Sequence, residues 1–107
     1  MTTEERRALL DRAITAYGAP AQMDMAVEEM AELTKALCKI KRAQAGCEVT
    51  AAIGNVIEEM ADVQGCWEQL DLGFGVRKVI HDIAQEKTER WARRLAAKED
   101  TVYANDD

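Results

Sequence analysis

The stretch Ala26-Val27-Glu28-Glu29-Met30-Ala31-Glu32-Leu33 returns 30 residues later as Val56-Ile57-Glu58-Glu59-Met60-Ala61-Asp62-Val63, and reading both copies as helix decides the fold. At about 100° per residue, Met23, Ala26, Val27, Met30, Leu33 and Leu37 fall on one apolar stripe. Ile53, Val56, Ile57, Met60, Val63 and Trp67 fall on its counterpart. On the same wheels Glu29 and Glu59 sit at the edge of the apolar face. Glu32 and Asp62 lie one turn further along the same side, and Glu28 and Glu58 lie nearer solvent. Each helix therefore carries an i, i+3 carboxylate pair beside its core stripe. A short connection favours antiparallel packing, which brings Glu29, Glu32, Glu59 and Asp62 into one patch.

Outward from this pair, Thr2 and Glu5 form a capping box that opens a helix to about residue 17, with Leu9, Leu10, Ala13, Ile14 and Tyr17 on its apolar side. Gly18-Ala19-Pro20 breaks the chain and puts Pro20 in the first turn of the next helix. Gln44-Ala45-Gly46-Cys47 is a loop, Thr50 is a candidate cap, and Gly73-Phe74-Gly75 is the last break. The expected architecture is all-α: a four-helix bundle-like protomer with helices at about 3–17, 20–43, 50–72 and 76–97, associating through helical faces. One domain spans residues 1–98, and residues 99–107 form a polar, acidic tail expected to fray. No strands alternate with the helices, which excludes an α/β sheet.

Composition agrees. The 107 residues are 48% apolar and 32% charged, with one proline and five aromatics, a bias toward helix and away from β-sandwiches. No apolar run reaches the roughly 20 residues of a membrane span, and the start, Met1-Thr-Thr-Glu-Glu-Arg-Arg, does not resemble a signal peptide. A cytoplasmic protein is expected. Cys38, Cys47 and Cys66 are odd in number and lack CxxC spacing, so reduced thiols are expected rather than disulfides or a zinc site.

The net charge of −6 is uneven: residues 20–72 hold ten acids against four bases, and residues 77–98 hold seven bases against three acids. A nucleic-acid groove needs a continuous basic face, which this pattern lacks. It suits a small charged ligand held through metal ions. Four neighbouring carboxylates repel one another and raise one another's pKa; a hard, oxygen-seeking cation such as Mg²⁺ or Mn²⁺ resolves the conflict. In the last helix, Val76, Val79, Ile80 and Ile83 define an inward stripe that continues as Lys87, Arg90 and Arg94 beside Trp91. Phosphate oxygens are natural partners for such cations. The competing reading is snorkelling at a helix end, with Glu86–Arg90 and Glu89–Arg93 as surface pairs. His81 falls off the inward stripe and reads as a surface residue. No Glu-x-x-His accompanies the carboxylates, which disfavours a di-iron bundle.

Glu28-Glu29-x-x-Glu32 followed, after 26 residues, by Glu59-x-x-Asp62 resembles the EExxE…ExxD signature of the MazG-like all-α nucleoside triphosphate pyrophosphohydrolases. The likeness runs from Gln22 and Met25 through Glu32-Leu33, Lys39, Arg42 and Ala61-Asp62-Val63-Gln64 to Lys87-x-x-Arg90. It is nearest to the small single-domain members common in phages and prophages. The resemblance implies cleavage of (d)NTPs between the α- and β-phosphates, giving (d)NMP and pyrophosphate. Glu29, Glu32, Glu59 and Asp62 would then be Mg²⁺ ligands and the catalytic carboxylates, with Mn²⁺ as a substitute, and Glu28 would lie outside the ligand set. Lys87 and Arg90 would steady the pyrophosphate, and Gln22 and Met25 would line a nucleoside pocket. Trp67 could join that pocket, but its place on the core stripe favours packing, and Cys66 would fill space beside Asp62. Glu29 or Glu32 would take the proton of the attacking water. The family's usual form implies a homodimer or homotetramer. Two alternatives stand: phosphoribosyl-ATP pyrophosphohydrolase, which shares much of the acidic signature, and a non-enzymatic helical oligomerisation or regulatory module with solvated acidic faces.

Overall fold

A computed structural model describes the backbone of residues 1–105 and the side chains of residues 1–101; Asp106 and Asp107, counted above in the acidic tail, lie outside the described residues. Thr2 opens the first helix, α1 (Thr3–Tyr17), as the capping box requires: its Oγ1 accepts from the Glu5 N–H at 3.0 Å, and its own N–H donates to Glu5 Oε2 at 3.2 Å. Gly18, at φ +84°, ends α1 and starts α2 (Ala19–Arg42), with Pro20 in the first turn. After Ala43-Gln44-Ala45 comes α3 (Gly46–Phe74), which Gly75 closes in the left-handed conformation, φ +64° and ψ +36°. The fourth helix, α4, spans Arg77–Asn105. All four elements are helical, and no strand occurs among the described residues. The packing divides the chain into a unit of α1–α3, Met1–Gly75, and a second unit from Val76 onward containing α4.

Gly73 and Phe74, expected in the last break, belong to the end of α3, so Gly75 alone closes it, and two further boundaries differ from the sequence expectation. Gly46 and Cys47 belong to α3 rather than to a loop, because Glu48 reaches back to accept from the Gln44 N–H at 3.4 Å and supports an earlier start. Thr50 is therefore not a cap; it sits in the second turn and donates to the Gly46 carbonyl at 2.9 Å. Helix α4 continues past residue 97 through the segment expected to fray, since residues 98–105 contain no glycine or proline to stop it. Along α4 Lys78 pairs with Asp82 at 3.4 Å; among the described residues Glu86–Arg90 and Glu89–Arg93 do not pair.

The packing of α2 on α3 dominates the first unit, and α1 lies against both. A three-residue loop between long helices forces them antiparallel, turning at Gln44. The covered residues of α2 follow a heptad spacing: Gln22, Ala26, Glu29, Leu33, Ala36 and Ile40. On α3 the same spacing runs through Val49, Ala52, Val56, Glu59, Val63, Cys66 and Leu70, and toward its C-terminal end Gly65, Glu68, Gln69, Asp71 and Leu72 are covered as well. Facing members add to 88 or 89, twice the number of the loop's centre, so Glu29 stands opposite Glu59 and Gln22 opposite Cys66. Alanine fills the tightest points: Ala26, Ala36 and Ala52 are the buried apolar residues among those described. Helix α1 adds Leu10, Ala13 and Ile14 as a half-buried stripe. Ile14 settles over Gly73, where a Cβ would stand 3.7 Å from its carbons. An exposed Arg6–Glu68 pair at 3.0 Å joins α1 to α3 and contributes little.

This seam corrects the expected core. The large apolar residues of the sequence stripes lie one position after the seam residues: Met23, Val27, Met30 and Leu37 on α2, and Ile53, Ile57, Met60 and Trp67 on α3. All eight are exposed, Val27 to 64%, Met60 to 56% and Trp67 to 49%. A step of +1 turns 100° from the seam, and in antiparallel helices the two turns point to the same side. The hairpin thus has one apolar face open to solvent. Its other face, one position before the seam, carries the polar residues.

Candidate metal centre

Glu29 and Glu59 occupy the same level of the α2–α3 seam, where an apolar pair would otherwise pack. Asp62 lies one turn further along α3, on the polar face. One carboxylate oxygen from each of the three lies within 4.8 Å of the others. Glu59 Oε2 is buried and has no hydrogen-bond partner. Partial burial raises the Glu29 carboxyl above its ordinary value, and the charges of Asp62, Glu59, Glu28 and Glu32 raise it further, in that order.

Glu32 stands outside this trio, so the four-carboxylate patch expected from the wheels is three carboxylates with a fourth nearby. The register supplies the reason. From the Glu29–Glu59 level Asp62 steps away from the loop and Glu32 steps toward it, which separates them by about 9 Å along the hairpin at 1.5 Å per residue. Glu32 is exposed, yet its charge still reaches Glu29. Glu28 and Glu58 are exposed as well.

An orphaned, buried carboxylate oxygen beside two more carboxylates is a poor arrangement for protein alone and a good one for a divalent cation. The donors are all oxygen, which fits Mg²⁺ or Mn²⁺ better than a thiophilic metal. Glu29, Glu59 and Asp62 would hold the ion.

A cavity of about 510 Å³ opens beside the trio. Its walls are Ala13 and Tyr17 of α1, Ala21, Gln22, Met25 and Glu29 of α2, and Asp62, Gly65, Cys66 and Gln69 of α3. Gln22 and Met25, expected to face a nucleoside, both line it. Trp67 does not; it lies on the apolar face, which also corrects its expected role in packing. The Cys66 thiol is held up from its ordinary value by burial and then by Glu29 and Asp62, so it stays protonated; Cys38, Cys47 and Cys66 are all free. Tyr17, Gly65 and Gln69 were not anticipated as site residues. The signal for the α3 pair was available, since both residues fall on the polar side of the seam once the loop's centre sets the register. Lys87 and Arg90 lie exposed on α4, in the second unit, as does His81.

Comparison with protein-family models, with curated proteins and with solved structures finds no match to this chain. Among the described residues no helix is long and apolar enough to cross a membrane.

Proposed function

We propose that this chain is a divalent-cation-dependent nucleoside triphosphate pyrophosphohydrolase, converting a (d)NTP and water into (d)NMP and pyrophosphate. The observation that carries the reading is the buried Glu59 oxygen without a partner, set against Glu29 in the seam. Apolar residues at that level would pack better and repel less, so the pair points to an ion. The neighbouring cavity has room for a nucleoside, within the 300–1,000 Å³ typical of small-molecule sites, and it ends at Glu29 and Asp62.

In this reading Mg²⁺ at Glu29, Glu59 and Asp62 supplies neutralising charge for the triphosphate. Gln22 and Met25 hold the nucleoside, so that the α-phosphate lies at the acidic end. Glu32, outside the trio and exposed, is the carboxylate free to take the proton of the attacking water. The open apolar face supports association of copies into a dimer or tetramer. Eight large side chains near half exposure offer on the order of 800 Å², about what one partner buries in a standard interface. Three free thiols agree with a reducing, cytoplasmic setting.

Pyrophosphate release from a panel of NTPs, dNTPs and phosphoribosyl-ATP, with and without Mg²⁺, tests the reading. Release from (d)NTPs only when Mg²⁺ is present supports it. Release from phosphoribosyl-ATP alone transfers the assignment to that substrate. No release from any substrate, with no heat of Mg²⁺ or Mn²⁺ binding, leaves a helical association module.

A further inference from the structure

Two cavities of the first unit share a wall made by Gln22 and Gln69. On one side is the space of about 510 Å³ that reaches Glu29 and Asp62. On the other is a pocket of about 10 Å³ against Ile14, Leu70 and Phe74, at or below the ~10–15 Å³ a single water needs. Gln22 is only 8% exposed, and it lines both cavities. Of the two, the larger cavity alone has room for a ligand that meets both glutamines.

A glutamine amide presents one donor and one acceptor side by side in a plane, and once a bound ligand shuts it off from water a mismatched partner is costly. The complement is a flat group with an adjacent donor and acceptor on its edge, which is the description of a nucleobase; glutamine pairs this way with adenine. Met25 and the ring of Tyr17 give the same cavity surfaces on which a flat heterocycle can lie. We propose that Gln22 and Gln69, from facing helices, read the hydrogen-bonding edge of a base lodged in this cavity and set the base preference of the site. The inference rests on the nucleotide reading above and adds the residues that discriminate.

Neutral nucleosides test it without phosphate or metal. Chemical-shift titrations of the wild-type chain with adenosine, guanosine, cytidine and uridine should give affinities spread about tenfold or more, as one bidentate amide contact provides. Gln22→Leu should compress that spread to about twofold, and Gln69→Leu should narrow it. The Gln22→Leu chain should melt no lower than wild type, because a leucine there leaves no polar group unpaired. Equal binding of all four nucleosides by the wild type, no binding at all, or an unchanged ranking in both variants overturns the proposal. If Gln22→Leu fails to fold, Gln69→Leu decides alone: a narrowed spread supports the proposal and an unchanged one overturns it. A chain that releases no pyrophosphate but still ranks nucleosides refutes the hydrolase reading and leaves base recognition standing.

Discussion

Replacing Glu59 with Gln should stabilise the metal-free protein and at the same time abolish its response to metal. In the folded chain Glu59 Oε2 is buried without a partner, and the Glu29 and Asp62 carboxylates lie within 4.8 Å. Glutamine keeps the shape, removes one negative charge, and puts an amide donor where an orphaned acceptor stood, with the neighbouring carboxylate oxygens within 4.8 Å to accept from it after a small adjustment. Satisfying one such buried group contributes about 1–2 kcal/mol. For a domain near 100 residues that raises the melting temperature by roughly 4–8 °C per kcal/mol. The wild type should recover this deficit when metal is added: an ion at 100 times its dissociation constant adds about 2.7 kcal/mol, and the variant, with a ligand missing, should gain little. Scanning calorimetry of both proteins, with and without Mg²⁺, reads the two effects together. A lower melting temperature for metal-free Glu59→Gln, or a metal-induced rise equal to that of wild type, would refute the reasoning, because Glu59 would then be stabilised by something other than a cation.

Three further outcomes follow from the same geometry. The Glu29 carboxyl is raised from its ordinary value of 4.5, chiefly by partial burial. The stability it contributes is full below that value and is lost as pH rises through the raised one. Metal-free protein should thus weaken toward neutral pH and Mg²⁺ should protect most there; a metal-induced shift as large at about pH 4.5 as at about pH 7.5 would contradict this. Gly75→Ala forces a side chain into φ +64° with open space around it, so the cost is backbone strain of about 1–2 kcal/mol, visible as a lower denaturation midpoint. Ile57→Glu with Met60→Glu charges the open apolar face without touching the trio; if copies associate through that face, as proposed, sedimentation should show the wild type as an oligomer and the variant as a monomer, and equal masses would remove that face from any interface.

Much of the fold is written in local chemistry. The capping box at Thr2 and Glu5, Pro20 in a first turn, and the glycines at positions 18 and 75 each act within one turn of chain, and each appears where expected. The apolar wheel misled because it ranks residues by size and greasiness. This chain seats alanine and even carboxylates in the seam and leaves Met23, Met30, Met60, Ile53, Ile57 and Trp67 on the surface. Small residues let α2 and α3 approach closely, a requirement between helices that no single-helix pattern displays. The trio was legible from the repeat, while the place of Glu32 was not, because a wheel records angle and discards height. Height becomes readable only when the loop's centre, Gln44, is taken as the fold line between the two copies.

That fold line makes the acidic centre a measured distance from the bend: Glu29 and Glu59 each stand 15 positions from Gln44. An extra residue within either arm between them would swing one carboxylate by about 100° and misalign the pair, whereas added residues at the bend itself can bulge outward and leave both in place. Excising one heptad from each arm would shorten the hairpin by about 10 Å at 1.5 Å per residue and return the same side chains to the same level. Tolerance to length change should therefore be concentrated at Ala43–Ala45 and absent from the rods on either side, a pattern that insertion scanning would expose as a sharp boundary.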